Sequence, residues 1–177
     1  MNFDAKRRFR SRRGGALLET AMYMPVLILL FVGMVEIARI TYTYYAIQRI
    51  LTGLARYVGT QQAVNFCDDN DGSVIAAKNF ALTGTPDGDA SATGTLIVRG
   101  LTSDLIRVRL ERYDASSQQL VECDCSQTGC DASVGGVAPD YIVVYLPNGY
   151  LVRPVIPGVA VDPFPLRPRV RIPYGGT

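Results

Sequence analysis

Hydrophobic residues are concentrated in one long run near the amino end of the chain. No charged residue occurs from Thr20 to Val35, and these 16 residues would extend about 24 Å as an α-helix. Including Gly15 to Glu19 lengthens the helix to about 31 Å, which is enough to cross the hydrocarbon core of a bilayer. Pro25 removes an amide donor inside this run and favours a bend that membrane helices tolerate. The pattern predicts a transmembrane helix.

Beyond this run, apolar residues recur at alternating spacings of three and four. Such a heptad-like stripe over three repeats predicts that the helix continues to about Val58. Two interpretations are open: the stripe packs on this protein's own outer domain, which we favour for its distal half, or it contacts neighbouring helices. The stripe consists of Ile37, Ile40, Tyr44, Ile47, Leu51, Leu54 and Val58.

Several shorter segments after the long helix also have recognisable patterns. Ser73 is a candidate N-cap for a short helix through about Leu82. Residues 83–95 are rich in Gly, Thr, Asp and Ser, which predicts a loop. Strand signals follow at 95–98 and at 104–113, and the second segment alternates apolar and charged side chains. Its alternation predicts one buried and one solvated face.

The carboxyl-terminal part combines strand and proline signals. Residues 141–146 have a strand pattern, and Asn148-Gly149 before residues 150–152 predicts a hairpin with a two-residue turn. Six of the 10 prolines lie after residue 153. Each removes a backbone donor, so this tail suits an edge strand or an extended wrap. Together these signals predict an α+β fold, in which a small antiparallel sheet packs on the long helix.

Composition narrows the classes of function. The chain has 177 residues, which allows one modest domain plus an appendage. It contains no His, so the usual general base near neutral pH and the ligands of histidine-based zinc catalysis are missing. No nucleophile elbow, phosphate loop or paired-carboxylate motif stands out. We therefore expect no enzymatic activity and no cofactor.

The net charge of +2 conceals an uneven distribution. Six basic residues and Asp4 lie within the first 13 positions, and the remaining 12 basic and 15 acidic side chains give a net charge of −3. The body of the protein therefore has no nucleic-acid footprint. The positive-inside tendency places the basic cluster in the cytoplasm and everything after Glu36 on the far side. A secretory signal peptide has the same order of zones, but no small-x-small cleavage site follows the apolar run.

Glu19 is unusual for its position in the apolar segment. A carboxylate inside a membrane helix costs about 2.5 to 3.5 kcal/mol on insertion scales and usually has a partner. Cleavage between Gly14 and Gly15 would create an α-amine at Gly15 and make Glu19 the fifth residue of the mature chain. The amine would lie one turn from Glu19 in the same helix, or it could pair with Glu19 of a neighbouring subunit. The alternative is an interfacial acid that reaches water, preceded by a flexible glycine link.

Over residues 12–57 the chain resembles prepilins with a type IV-like leader, and more closely the TadE-like minor pilins of tight-adherence (Flp-type) systems. The matching string is Arg12-Arg13-Gly14-Gly15-Ala16-Leu17-Leu18-Glu19-Thr20-Ala21, then Pro25, an aliphatic run, and Gly33-Met34-Val35-Glu36-Ile37-Ala38-Arg39. The resemblance implies that an aspartic prepilin peptidase cuts after Gly14 on the cytoplasmic face. The chain is far longer than the major subunit of these pili, which favours a minor pilin, or pseudopilin.

The resemblance also implies a domain organisation and a function. Residues 1–14 would be a basic leader, 15–60 a transmembrane and amphipathic helix, and 61–177 an extracytoplasmic α+β domain. The chain would be a non-enzymatic pilin in the bacterial inner membrane, with its carboxyl-terminal domain periplasmic or extracellular. Its partners would be the prepilin peptidase, other pilins and the machinery that assembles an adhesive pilus. The alternative is an unprocessed single-pass protein whose outer domain binds a ligand or an envelope partner.

Four cysteines lie in the region expected outside the cytoplasm, where disulfides are the first expectation. They are Cys67, Cys123, Cys125 and Cys130. A bond between Cys123 and Cys125 would close a cramped ring, so Cys67 is expected to pair with one of these two and Cys130 with the other. Zinc is the alternative, but the C-x-C-x4-C spacing lacks the usual two-residue loops.

The acidic segment 65–72 has the composition of a calcium loop. Aligning Gly72 with the invariant glycine of an EF-hand places Cys67 at the first ligand position and Lys78 at the last, where carboxylates are required. The segment therefore fails as an EF-hand, and we expect it to be a turn. No metal site is predicted.

Overall fold

The computed structural model describes residues 5–61, 64–88, 96–123, 139–156 and 160–175. Two helices and six strands follow one another within these residues, with a short 3-10 helix between α2 and β1. In chain order they are α1 (Ala5–Gly59), α2 (Gly72–Thr83), the 3-10 helix (Ser103–Leu105), β1 (Arg107–Asp114), β2 (Gln119–Glu122), β3 (Tyr141–Tyr145), β4 (Tyr150–Val152), β5 (Phe164–Leu166) and β6 (Arg169–Pro173).

The contacts divide the chain into two compact units. The first unit comprises Met1–Thr41 and Pro154–Asp162, and the second comprises Tyr42–Arg153 and Pro163–Thr177. Helix α1 contributes to both, because it runs without interruption through Pro25 and ends at Gly59. The long predicted helix is therefore confirmed, and it ends one residue beyond Val58.

The second unit is built on an antiparallel sheet. Its four strands lie in the order β2-β1-β3-β6, and every neighbouring pair is antiparallel. A strand directs successive side chains to opposite faces of the sheet, so alternate residues of β1, β3 and β6 form its inner face. These residues belong to the same buried cluster as the distal part of α1. Those strand residues are Val108, Leu110, Ile142, Val144 and Val170. The predicted α+β fold, with an antiparallel sheet packed on the helix, is confirmed.

The outer face of this sheet contains a buried carboxylate. Glu111 on β1 is 6% exposed and forms ion pairs with Arg169 and Arg171, both on the edge strand β6. The Arg171 Nη2 to Glu111 Oε2 distance is 2.6 Å. The two guanidinium groups compensate the desolvation of the carboxylate, which would otherwise be costly. The proline-containing tail thus supplies an edge strand, as expected.

The beginning of α2 differs from the sequence expectation. Asp71, and not Ser73, is the N-cap, and its Oδ1 accepts hydrogen bonds from Ser73 N at 2.8 Å and Val74 N at 3.4 Å. The helix therefore begins earlier than Ser73 capping would allow. At the other end, Gly84 adopts a left-handed conformation with φ 87° and its N–H donates to Phe80 O. This is the C-cap geometry that glycine favours.

The region between α2 and β1 also departs from prediction. Residues 96–98 form no strand, because Ile97 N donates to Leu82 O at the end of α2. Asp104 belongs to the 3-10 helix, so the next strand begins only at Arg107. Residues 84–88 are outside helices and strands, as predicted for the loop, while 89–95 lie outside the described residues.

The predicted hairpin at Asn148-Gly149 is wrong. β3 pairs with β1 and β6, whereas β4 pairs with β5 in a separate two-stranded sheet. Gly149 N donates to Leu146 O at 3.2 Å, so the central residues of the turn are Pro147 and Asn148. Proline fixes φ near −65° and favours an ordinary turn over the mirror-image turns that join paired strands. The chain consequently leaves the first sheet at this point.

Candidate membrane and subunit-contact site

Between Leu17 and Phe31, α1 exposes its apolar side chains. Leu17 is 73%, Met22 72% and Phe31 68% exposed. Among the described residues, one helix, within Leu17–Gly59, is long and apolar enough to cross a membrane. Exposing this much apolar surface to water is unfavourable by about 25 cal/mol per Å². The apolar part of α1 is therefore a transmembrane helix.

The expected processing site lies on this helix. α1 begins at Ala5 and includes the Gly14–Gly15 peptide bond. A Cβ placed on Gly15 would meet nothing within 4 Å, and Glu19 is exposed. The backbones of Gly15 and Glu19 are about 6 Å apart along the axis. Each glycine lowers helix stability by about 1 kcal/mol relative to alanine, so the pair is expected to weaken α1 locally, and Gly15 is exposed.

The apolar stripe on α1 divides into two parts. The distal residues Ile47, Leu51, Leu54 and Val58 are each 0% exposed and belong to the core of the second unit. By contrast, Ile37 is 67% and Tyr44 37% exposed, while Ile40 is half-buried. The distal stripe thus packs on this protein's own domain, and the proximal stripe leaves apolar side chains available for other contacts.

Glu36 stands apart from its neighbours on α1. It is only 9% exposed, whereas Val35 and Ile37 are 66% and 67% exposed. The Arg39 Nη2 lies 3.2 Å from Glu36 Oε2, one turn further along the helix. An ion pair of this kind reduces the cost of holding a carboxylate away from water.

An apolar groove that the sequence patterns did not reveal lies within the second unit. It encloses about 640 Å³ between α1 and residues of α2 and the following loop. Tyr42, Tyr45 and Ile97 line it and are 77%, 64% and 61% exposed. Gly53 opens the groove on the α1 side, where an added Cβ would meet nothing within 4 Å. The two tyrosines lie beside the stripe, and no periodic signal distinguishes them from solvated residues.

The cysteines carry no evidence of a metal centre within the described chain. Cys67 and Cys123 are both disulfide-bonded, while Cys125 and Cys130 lie outside the described residues. No group of three or more His, Cys, Asp or Glu side chains in the described ranges is arranged to hold a metal ion. The acidic turn has a structural use, because Asp69 Oδ2 accepts a hydrogen bond from Arg107 Nη1 at 2.7 Å.

Comparison with protein families agrees with the geometry of α1. Residues 14–56 match the family model described as TadE-like protein. Neither the curated proteins nor the solved structures produced a match. The matched range starts at the first glycine of the expected processing site and ends within the distal stripe, so the resemblance seen in the sequence is confirmed. The matched range contains the apolar part of α1 that is long enough to cross a membrane. Over these residues, the chain is similar to the TadE-like family.

Proposed function

We propose that this chain is a non-enzymatic minor pilin, or pseudopilin, that takes part in the assembly of a Flp-type adhesive pilus. The observation that carries the proposal is the coincidence of the TadE-like match at residues 14–56 with an exposed apolar helix. The distal half of that helix is also the core of the folded domain. The same continuous helix therefore contributes both the apolar, exposed segment and part of the domain core.

Processing is the first step of the proposed mechanism. A prepilin peptidase cuts after Gly14 on the cytoplasmic face, which removes the basic leader 1–14 and creates an α-amine at Gly15. The low helix propensity of the glycine pair supports this step, since a peptidase must open the helix locally to reach the bond. The new amine then pairs with Glu19 of a neighbouring subunit. The exposure of Glu19 is consistent with an intersubunit partner.

Topology follows from the charge distribution. The basic leader stays in the cytoplasm, residues 15–60 form the transmembrane and amphipathic helix, and 61–177 form the domain on the periplasmic or extracellular side of the inner membrane. The disulfide-bonded state of Cys67 and Cys123 supports an oxidising compartment. In our proposal Cys67 pairs with Cys123 or Cys125, and Cys130 pairs with the other.

Contacts with other pilins use the parts of α1 that its own domain leaves uncovered. These are the proximal stripe residues Ile37 and Tyr44, together with the apolar groove beside Tyr45 and Gly53. The aromatic side chains offer a large apolar contact surface. Gly53, which has no side chain, allows a partner helix to approach α1 closely. The buried distal stripe contributes to these contacts only indirectly, by keeping α1 attached to the domain.

The decisive experiment is the amino-terminal sequence and intact mass of the protein extracted from native membranes. A mature chain beginning at Gly15 is expected. Retention of residues 1–14 would contradict processing and favour the alternative of an anchored envelope protein that binds a partner through its outer domain.

Assembly is tested separately with Glu19→Ala. This variant should insert into the membrane and be processed but fail to enter the pilus fraction. Glu122→Ala, which changes an exposed carboxylate on β2, is the matched control. Normal incorporation of Glu19→Ala would refute the pairing.

A further inference from the structure

A polar cleft lies on the outer face of the four-stranded sheet, at the end where β1 finishes and β2 begins. It encloses about 770 Å³, a volume within the range of small-molecule sites. Its three largest side chains each lie an odd number of residues from an inward-facing residue of their own strand, so they share the outer face. We call this site the tyrosine cleft. Its aromatic and polar lining consists of Tyr113, Gln118, Gln119, Asp140, Tyr141 and Arg171.

Two tyrosine rings and a fixed guanidinium group form one side of the tyrosine cleft. Tyr113 is 52% exposed, and Tyr141 is half-buried. The guanidinium carbon of Arg171 lies 6.0 Å from the centroid of the Tyr141 ring, and its Nη2 lies 2.6 Å from Glu111 Oε2. These contacts hold Arg171 in place, while 42% of its side chain stays exposed. Because a guanidinium has five N–H donors, donors remain for a ligand.

Asp140 is an acceptor held in place from several directions. Its Oδ2 accepts a hydrogen bond from Tyr113 N at 2.6 Å. Its backbone N donates to Glu111 O at 3.1 Å, and its backbone O accepts from Tyr174 N at 2.9 Å. Asp140 is exposed, and a carboxylate accepts several hydrogen bonds. The side chain therefore keeps acceptor capacity towards the cleft.

Gln118 adds an amide in an unusual backbone conformation. Its φ of 52° makes it the one non-glycine with positive φ in the part of the chain that the structure describes, and such conformations cluster at binding sites. The turn before it is fixed by Asp114, whose carboxylate accepts hydrogen bonds from Ser116 N at 3.0 Å and Ser116 Oγ at 2.7 Å. Gln119 follows at the start of β2. Each glutamine amide both donates and accepts hydrogen bonds.

This set of groups matches the surface chemistry of a sugar. One face of a pyranose ring presents C–H groups that pack on an aromatic face, and the hydroxyl groups around its edge both donate and accept hydrogen bonds. The charges favour a neutral sugar, because Arg169 and Arg171 are balanced by Glu111 and Asp140. An acidic sugar would meet the Asp140 carboxylate as well as the guanidinium of Arg171, so repulsion would offset the attraction.

We propose that the tyrosine cleft binds a neutral oligosaccharide. A sugar ring packs on Tyr113 and Tyr141, while its hydroxyl groups bond to Asp140, Arg171 and the glutamine amides. Asp140 is the one carboxylate among the described lining residues, and hydrolysis of a glycosidic bond generally uses two. The cleft therefore binds the sugar without cleaving it. Binding here requires neither cleavage after Gly14 nor pilus assembly, so its failure is distinguishable from failure of the proposed function.

The test uses the full chain in phospholipid nanodiscs with its native disulfides, because sugar-based detergents would compete for the cleft. Maltotriose, cellotriose and triacetylchitotriose are the neutral probes, and trigalacturonate is the acidic probe. Saturation-transfer difference NMR identifies the sugar protons that contact the protein, and titration gives the Kd.

Two variants change the cleft and one serves as the control. Tyr113→Ala removes an exposed ring. Gln118→Gly removes an amide and suits the positive φ, so it keeps the test available should Tyr113→Ala fold poorly. Tyr45→Ala is the matched control, because Tyr45 is a tyrosine of similar exposure, 64%, that lines the apolar groove and not the tyrosine cleft.

We expect saturation transfer to the ring protons of at least one neutral probe. Its Kd should rise about tenfold in Tyr113→Ala, rise measurably in Gln118→Gly and stay unchanged in Tyr45→Ala. Absence of saturation transfer to all three neutral probes would overturn the proposal, as would a Kd unchanged by both cleft variants. A loss of binding confined to Tyr45→Ala would place the sugar in the apolar groove. Tighter binding of trigalacturonate than of every neutral probe would refute the assignment of a neutral ligand.

Discussion

Leu54 offers the most direct test of the conclusion that the distal half of α1 is the core of the folded domain. Its side chain is 0% exposed and lies in one cluster with residues of the sheet and α2. Leu54→Ala removes three buried carbon atoms and leaves a cavity that the surrounding side chains fill only partly. Buried leucine-to-alanine changes cost about 2 to 5 kcal/mol. Because the Leu54 side chain is 0% exposed, its whole surface is removed from water in the folded state. We therefore expect the free energy of unfolding to fall by an amount in the middle or upper part of that range.

The assay is a denaturant titration of the full chain in detergent micelles, followed by near-ultraviolet circular dichroism of the tyrosines. Leu30→Ala is the matched control, because Leu30 is 63% exposed on the transmembrane part of the same helix. It should change the free energy of unfolding of the domain by less than about 0.5 kcal/mol. Equal effects of the two substitutions, or a negligible effect of Leu54→Ala, would refute the assignment of the distal stripe to this protein's own core.

Three further predictions concern the second unit and use the same titration. Asp71→Ala removes the N-cap of α2 and should lower the free energy of unfolding by about 1 kcal/mol. Asp87 is exposed, so Asp87→Ala should leave the free energy of unfolding almost unchanged. Glu111→Gln removes the charged acceptor between two arginines and should cost about 1 to 3 kcal/mol; an unchanged stability would show that solvent already screens these pairs. Burial lowers the pKa of Lys78 below its usual 10.5, so the unfolded chain binds more protons between the folded-state pKa and 10.5. Stability should therefore rise with pH through that alkaline window, and Lys78→Met should abolish the rise.

Several features were predictable because their causes are local in the chain. Apolar length defines the transmembrane segment, and the spacing of Ile47, Leu51 and Leu54 defines which helix face is buried. Alternation in β1 separates the inner and outer faces of the sheet. In each case the physical cause, helical periodicity or strand pleat, acts over a few residues. The resemblance to TadE-like proteins likewise depends on a continuous string of residues.

Other features depend on competition between nearby groups. Ser73 and Asp71 are both acceptable N-caps by residue type. Asp71 is the N-cap in the structure, because its carboxylate accepts hydrogen bonds from two backbone amides. Asn148-Gly149 has the signature of a hairpin turn, yet Pro147 occupies a central position of the turn that forms, and β3 finds its partners in β1 and β6. Short-range preferences of this size are easily outweighed by the pairing of whole strands.

By itself, the sequence determined that this protein has a transmembrane helix, that the helix continues beyond the apolar run, and that the glycine pair and Glu19 lie one turn apart. Only the tertiary structure decided which strands pair and that Glu111 is buried beside arginines of a strand that is distant in the chain. The difference has a physical reason. Apolar length and periodicity are properties of a single segment, whereas pairing and burial depend on which distant segments compete for the same surface.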